Sequence, residues 1–78
     1  MKSDSTIDAA EKLMNEYQQK VLDCYEMVLE FFEGDREKAE LWFETPNPSF
    51  GGTTPDILIY MGRVDVLKKW IEAAIEGY

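Results

Sequence analysis

Residues 42–62, WFETPNPSFGGTTPDILIYMG, decide how this chain folds, because they contain its strongest helix-breaking signals. The stretch holds all three prolines and three of the five glycines. Pro46 and Pro48 have a fixed φ and lack an N–H donor, so a helix that ends near Glu44 cannot continue through them. The stretch therefore predicts a turn-rich connection between two helices.

The second half of this stretch predicts the start of a new helix. Thr54 is suited to the N-cap, Pro55 to the first helical position, and Asp56 to the first turn, where an acid favours the helix dipole. Gly62 stands where a C-cap glycine would close a short helix. From these residues alone, 45–54 is an ordered inter-helix loop with no activity of its own.

A long helix is predicted before the loop, over residues 5–33, which contain neither glycine nor proline. Ser5 is the candidate N-cap of a capping box with Asp8, and Asp4 is a competing N-cap. At the other end of the helix, Gly34 is the predicted C′ residue. Apolar and semi-apolar side chains recur every three or four positions in a heptad-like seam. The seam consists of Ile7, Ala10, Met14, Tyr17, Val21, Cys24, Val28 and Phe31, and Leu22, Tyr25, Leu29 and Phe32 widen it.

The first part of this helix, residues 5–16, is polar apart from Ile7, Leu13 and Met14. It either packs on a partner or projects from the domain. Because the seam is longer than a four-helix domain of 78 residues needs, we expect self-association through this N-terminal helical extension (residues 1–16).

Three shorter helices complete the predicted all-α, four-helix fold: 36–44 after an Asp35 cap, 55–61, and about 64–76 with Gly77 as a C-cap. No segment has the two-residue period of a strand. The side chains expected to face inward are Ala39, Trp42, Phe43, Ile57, Leu58, Met61, Val66, Leu67, Trp70, Ile71, Ala74 and Ile75. Phe50 is expected under the loop and Tyr60 partly exposed.

The charge of −8, from 8 basic and 16 acidic residues, argues against direct binding of nucleic acid. Acids dominate residues 23–44, where only Arg36 and Lys38 oppose them. This run is either a solvated face or a patch that steers a basic partner. A single cysteine, the absence of a signal peptide and the absence of an apolar run near about 18 residues indicate a cytoplasmic protein without a membrane span.

The residue types also argue against an enzyme or a metalloprotein. The chain has no histidine and one cysteine, Cys24, which excludes the commonest general base and thiolate zinc sites. The double glycine is not followed by a Lys-Ser/Thr pair, so the phosphate-loop pattern fails. We expect no catalytic, cofactor-binding or metal-binding residue.

The motif in 42–62 resembles the toxin-binding domain of the ParS/MbcA/Xre antitoxins, the bacterial partners of RES-domain toxins. The resemblance covers residues 17–78 and continues from Val66 to Gly77. The matching residues are Trp42, Phe43, Pro46, Asn47, Pro48, Phe50, Gly51, Gly52, Thr54, Pro55, Leu58 and Gly62. Antitoxins of this family usually carry a helix-turn-helix region first, but only about 16 residues precede the motif domain here, too few for such a unit.

The resemblance implies an antitoxin that blocks an NAD-degrading RES toxin by docking its C-terminal helix near the toxin's active site. It implies that most of the 42–55 motif is structural. The residues implied to contact the partner are Gly62, Arg63, Lys69, Gly77 and Tyr78. Tyr60 joins them as an exposed aromatic anchor, and Lys68 as the other lysine of the locally basic fourth helix. Two other interpretations remain open: a stand-alone adaptor or regulatory domain with the same fold, and a self-associating structural helix protein.

Overall fold

Four α-helices make up the fold. The computed structural model describes residues 5–77, with side chains from residue 8 onward. The helices are α1 (Ser5–Phe31), α2 (Arg36–Glu44), α3 (Pro55–Tyr60) and α4 (Val64–Glu76), and a short 3-10 turn at Pro48–Phe50 lies between α2 and α3. No strand occurs within residues 5–77, so the predicted all-α fold with a long first helix is confirmed. None of the helices in this range combines the length and apolarity that crossing a membrane requires.

α1 ends in a Schellman motif whose left-handed position is occupied by a glutamate. The N–H of Gly34 donates to the carbonyl of Leu29 at 2.8 Å, and that of Glu33 to Glu30 at 2.9 Å. Glu33 has φ +58° and is therefore the C′ residue, while Gly34 follows it at φ +85°. The prediction that Gly34 is the C′ residue is wrong by one position, because the helix ends earlier than residue 33.

The predicted caps of the next two helices are confirmed. The Asp35 carboxylate accepts from the N–H of Lys38 at 3.2 Å, and the Thr54 hydroxyl accepts from the N–H of Ile57 at 3.2 Å. Gly62, at φ +80°, closes α3 in a second Schellman motif, since the N–H of Arg63 donates to Leu58 across it at 2.8 Å. The predicted capping box of α1 joins Ser5 and Asp8, and the side chains of Ser5 and of the competing cap Asp4 lie outside those described.

α4 packs along the second half of α1, and two ion pairs show that the two helices run in the same direction. Lys20 Nζ lies 2.8 Å from Asp65 Oδ1, and Lys68 Nζ lies 3.1 Å from Asp23 Oδ2. Since a later residue of α1 meets a later residue of α4, the helices are parallel. α2 and α3 carry the chain back between them.

The core lies where all four helices meet. Its buried apolar side chains are Cys24, Val28, Ala39, Phe43, Leu58, Val64, Leu67 and Ile71. Leu67 and Cys24 are completely buried, at 0% exposure. Full burial of an aliphatic side chain contributes about 1.5–3 kcal/mol, so the contact between α1 and α4 carries much of the stability.

Four side chains expected in the core are on the surface, and one of them, Ile75 near the end of α4, is 38% exposed. Ile57 and Met61 in the α3 region are 47% and 59% exposed, and Val66 in α4 is 48% exposed. Val64, at 2% exposure, faces the core instead, and Ile59 packs against it. α3 and the first turn of α4 are therefore rotated about their axes, so that they bury a different face from the predicted one. Their short apolar stripes are compatible with more than one orientation.

The N-terminal part of α1 makes no contribution to the core. Residues 8–16 are all exposed, and Leu13 and Met14 are 66% and 61% exposed. The core begins with Tyr17, whose hydroxyl donates to the carbonyl of Ile59. Residues 8–16 therefore extend beyond the core of the domain, in one continuous helix with residue 17 onward.

Glu33→Gly should stabilise the protein, although glycine destabilises ordinary helical positions. A residue with a Cβ in the left-handed region costs about 1–2 kcal/mol, and the greater freedom of glycine in the unfolded chain offsets about 0.5–1 kcal/mol of that. We therefore expect the free energy of unfolding in urea to rise by a few tenths to about 1 kcal/mol. As controls, Glu26→Gly within α1 should lose about 1 kcal/mol and Gly62→Ala a similar amount. A loss of stability in Glu33→Gly would contradict the assignment of Glu33 as the left-handed C′ residue of α1.

Candidate protein-binding surfaces

The proline–glycine loop is organised around Asn47. Its side-chain oxygen accepts from the N–H of Ser49 at 2.8 Å, and its own N–H donates to the carbonyl of Thr53 at 3.0 Å. Its carbonyl accepts from the N–H groups of Phe50 and Gly52. Because one residue joins both ends of the loop, the loop has a defined shape despite its glycines.

Aromatic side chains attach this loop to α4. The ring of Phe50 meets that of Trp70 edge-on, with centroids 5.1 Å apart, and Trp42 stacks on Trp70 at 6.1 Å. Pro55 is fully buried, so the start of α3 is fixed as well. Such aromatic pairs contribute about 0.5–1.5 kcal/mol beyond the area that they bury. The motif residues from Trp42 to Pro55 thus hold the helices together.

The α3–α4 turn, residues 60–63, presents the first group of predicted partner-binding residues. Tyr60 is 92% exposed, far more than the partial exposure expected from the sequence. Gly62 and Arg63 are also exposed, and the Schellman motif fixes the backbone between them. A rigid turn with an exposed aromatic side chain beside a cation is a favourable site for binding another protein.

The two predicted lysines of α4 differ in their surroundings. Lys68 donates to Asp23, whose other oxygen accepts from Gln19 at 3.0 Å. The hydrogen bond to Asp23 raises the pKa of Lys68, and the bonds from Gln19 and Lys68 lower the pKa of Asp23. Lys69 is exposed. Lys68 therefore serves the contact between α1 and α4, and Lys69 is the more accessible of the two lysines for a partner.

Apart from these two lysines, the predicted partner-binding residues that the structure describes fall at the two ends of α4. Arg63 precedes this helix and Gly77 is its C-cap, so about 20 Å separates them at 1.5 Å per residue. Tyr78 lies outside the described residues. The structure therefore brings together Tyr60, Gly62 and Arg63, whereas Gly77 lies apart from them.

An apolar groove that the sequence did not predict lies at the C-terminal ends of α1 and α4. It encloses about 160 Å³. All of its lining residues are hydrophobic types: Val28, Phe31, Phe32, Trp42, Trp70, Ile71, Ala74 and Ile75. The two tryptophans had been assigned to the core, and they are only half-buried. The one signal in the sequence was the excess of apolar residues at the ends of both helices.

The described residues show no arrangement suited to acid–base or metal chemistry. Burial raises the pKa of Cys24 to about 11, which keeps this thiol protonated and unreactive at neutral pH. Burial also raises the pKa of Asp56, but no base or nucleophile is paired with it among residues 8–77. No group of three or more acidic or cysteine side chains in the same range is arranged to hold a metal ion.

Comparison of this chain with protein-family models, with curated proteins and with solved structures finds no match. The surfaces described above are therefore interpreted from their own geometry and from the resemblance in the 42–62 motif.

The two ion pairs between α1 and α4 should make stability depend on pH below about 4. The hydrogen bond from Lys20 lowers the pKa of Asp65, and the bonds to Asp23 act in the same direction. A carboxyl group whose pKa is lower in the folded state stabilises the fold above its ordinary pKa of 3.8, and this contribution is lost as the pH falls through the folded value. Asp23→Asn should therefore reduce the difference in unfolding free energy between pH 7 and pH 2.5, measured in urea.

The comparison has to be made between wild type and variant at each pH. Protonation also relieves the repulsion within a chain of net charge −8, and that effect opposes the loss of the ion pairs. Lys68→Met should reduce the pH dependence less than Asp23→Asn does, because Gln19 still donates to Asp23, and the double variant should add little to Asp23→Asn. An unchanged pH dependence in both single variants would show that the pair between Asp23 and Lys68 contributes nothing measurable.

Proposed function

We propose that this protein is an antitoxin-like inhibitor that binds a RES-type, NAD-degrading toxin and obstructs its active site. The observation that carries the proposal is the turn at residues 60–63, whose fixed backbone carries two exposed side chains, Tyr60 at 92% exposure and Arg63. The resemblance of residues 42–62 to the toxin-binding domain of the ParS/MbcA/Xre antitoxins supports the choice of partner. The inhibitor itself needs no cofactor and no catalytic residue.

The charge of the proposed contact suits an active site that receives the phosphates of NAD. The chain carries a net charge of −8, yet Arg63 and the exposed Lys69 lie on the α3–α4 turn and on α4. An arginine guanidinium binds phosphate or carboxylate groups with two parallel hydrogen bonds. Tyr60 supplies apolar area together with a polar tip, as residues that anchor interfaces often do.

The apolar groove at the other end of α4 favours a second candidate function, a stand-alone adaptor. A lining of two half-buried tryptophans and two phenylalanines is suited to a helical or peptide partner. An adaptor would not require a RES-domain protein. Absence of a complex with such a toxin would therefore favour the adaptor over the antitoxin.

Arg63→Glu should abolish most of the protection in a bacterial host that co-expresses a RES-domain toxin. The change removes a donor and adds a repulsive charge, which costs roughly 2–5 kcal/mol of affinity when the contact is buried. Wild-type protein should restore growth and preserve cellular NAD, and Arg63→Glu should do neither while its circular dichroism spectrum remains helical. The matched control is Lys38→Glu, which makes the same charge change in the first turn of α2.

The two variants separate docking through the turn from a general effect of charge. If Lys38→Glu and Arg63→Glu protect equally well, the turn is not the contact surface. If wild-type protein forms no complex with the toxin, the antitoxin function itself is wrong.

We propose in addition that the protein self-associates through the projecting part of α1. Deletion of residues 1–16 should lower the mass measured by light scattering and leave 17–77 helical, because the core begins at Tyr17. Replacing Leu13 and Met14 by glutamine should have the same effect, since it removes their exposed apolar side chains and keeps the helix. A full-length protein that remains monomeric at high concentration would rule out this association.

A further inference from the structure

The apolar groove is open to solvent, although burying its apolar side chains would stabilise the domain. Phe31 and Ile75, at the ends of α1 and α4, are 53% and 38% exposed. Trp42 and Trp70 stack on one another in the floor of the groove and remain half-buried. A cavity of about 150 Å³ holds a benzene ring, and the groove encloses about 160 Å³. It therefore has room for one large apolar side chain of a partner, such as leucine or phenylalanine.

The parts of α1 and α4 that form the groove carry acids and no bases, whereas α2, which contributes Trp42, carries Arg36 and Lys38 against Glu37, Glu40 and Glu44. Residues 21–35 and 70–77 contain no lysine or arginine. Glu30 and Glu33 flank the phenylalanines of α1, and Glu76 follows Ile75 in α4. All three glutamates are exposed, and none forms an ion pair with another residue between 8 and 77.

The helix dipoles add to this negative charge. α1 and α4 are parallel, so their C-terminal ends, each equivalent to about half a negative charge, lie at the same end of the domain. Neither helix has a basic residue in its last turn. The groove is thus an apolar site whose rim carries more negative than positive charge, and a cationic partner would offset that excess.

We propose that the apolar groove binds a cationic amphipathic helix of another protein, with one apolar face and flanking lysines or arginines. The apolar face would insert a large side chain between the tryptophans and Ile75, and the flanking cations would lie over the glutamates and the two helix ends. This mode of binding, a helix in an apolar groove, takes its specificity from anchors spaced three and four residues apart. The site lies at the opposite end of α4 from residues 60–63 and does not depend on binding of a toxin.

Charge decides against the other occupants of such a groove. A second copy of this chain would have to insert its exposed segment 8–16, which carries Asp8, Glu11 and Glu16 against Lys12 alone, at a rim that is already acidic. An anionic membrane surface would be repelled for the same reason. A basic helix gains from both the apolar contact and the electrostatic attraction.

Titration with synthetic helices tests the proposal directly. The probe is a peptide of about 14 residues, or four turns, with leucines on one face and lysines on the other. The two tryptophans are the only ones in the chain and both line the groove, so their emission reports occupancy. The leucine–lysine peptide should change this emission saturably, and its affinity should fall with added salt. A matched peptide with glutamate in place of every lysine should bind at least about tenfold more weakly.

Neighbouring alanines of α4 provide matched variants. Ala74 lines the groove, whereas Ala73 is exposed on another side of the helix. Ala74→Gln should weaken binding of the cationic peptide by about tenfold or more, and Ala73→Gln should stay within about twofold of wild type. If Ala74→Gln proves unfolded by circular dichroism, Ile75→Gln serves the same purpose, because Ile75 is already partly exposed.

Three results would overturn the proposal. The anionic peptide could bind as tightly as the cationic one, which would remove the argument from charge. Ala74→Gln and Ala73→Gln could bind the peptide equally, which would place binding elsewhere. Sedimentation could show a dimer of the wild-type chain that Ala74→Gln dissociates, which would make a second copy the occupant.

Discussion

The parallel packing of α4 on the second half of α1 is the constraint on which the rest of the fold depends. Leu67 and Ile71 of α4 are buried against Cys24 and Val28 of α1, and these residues form the centre of the core. Two parallel neighbours cannot be joined by a short turn, because the chain must return to the end at which the first helix entered the core. α2, the proline–glycine loop and α3 provide that return path.

The return path requires three changes of direction within about 30 residues, and each is fixed by local chemistry. Glu33 and Gly34 turn the chain out of α1, and Gly62 turns it into α4. Between these turns, Asn47 closes the loop and Phe50 packs on Trp70. The aromatic contact matters because a hydrogen-bonded loop alone fixes its own shape but not its position on the domain. Phe50 sets that position by binding the loop to the helix that the path must reach.

The features that could be predicted from the sequence are those determined within a few residues. The capping roles of Asp35, Thr54 and Gly62 depend on hydrogen bonds between groups three to five positions apart. The residue types and their spacing were therefore sufficient to predict these caps. Glu33 was missed because its left-handed conformation is imposed by the turn and not favoured by its side chain. Gly34, the next residue, is the residue type that favours the left-handed C′ position, so the sequence pointed to it instead.

The faces of the short helices could not be predicted, for a different reason. In α3 and at the start of α4, apolar residues occur on more than one side, and only the position of α1 decides which side is buried. The hydroxyl of Tyr17 donates to the carbonyl of Ile59, and α3 buries Leu58 and part of Ile59 while Ile57 is exposed. At the start of α4, Val64 is buried where Val66 was expected. The groove was missed for the same reason: it exists only because α1, α2 and α4 bring half-buried aromatic residues to one end.

The same topology gives the domain two chemically different ends, which composition alone would not do. In antiparallel helices the dipoles oppose one another, but in parallel α1 and α4 the negative ends coincide beside the groove. The positive N-terminus of α2 is nearby, yet the carboxylate of Asp35 already accepts from it. Arg63, by contrast, lies at the N-terminus of α4, where the backbone N–H groups add positive potential to its own charge. A chain of net charge −8 can therefore present a locally cationic turn at one end of α4 and an anionic apolar groove at the other, and each end suits a partner of opposite charge.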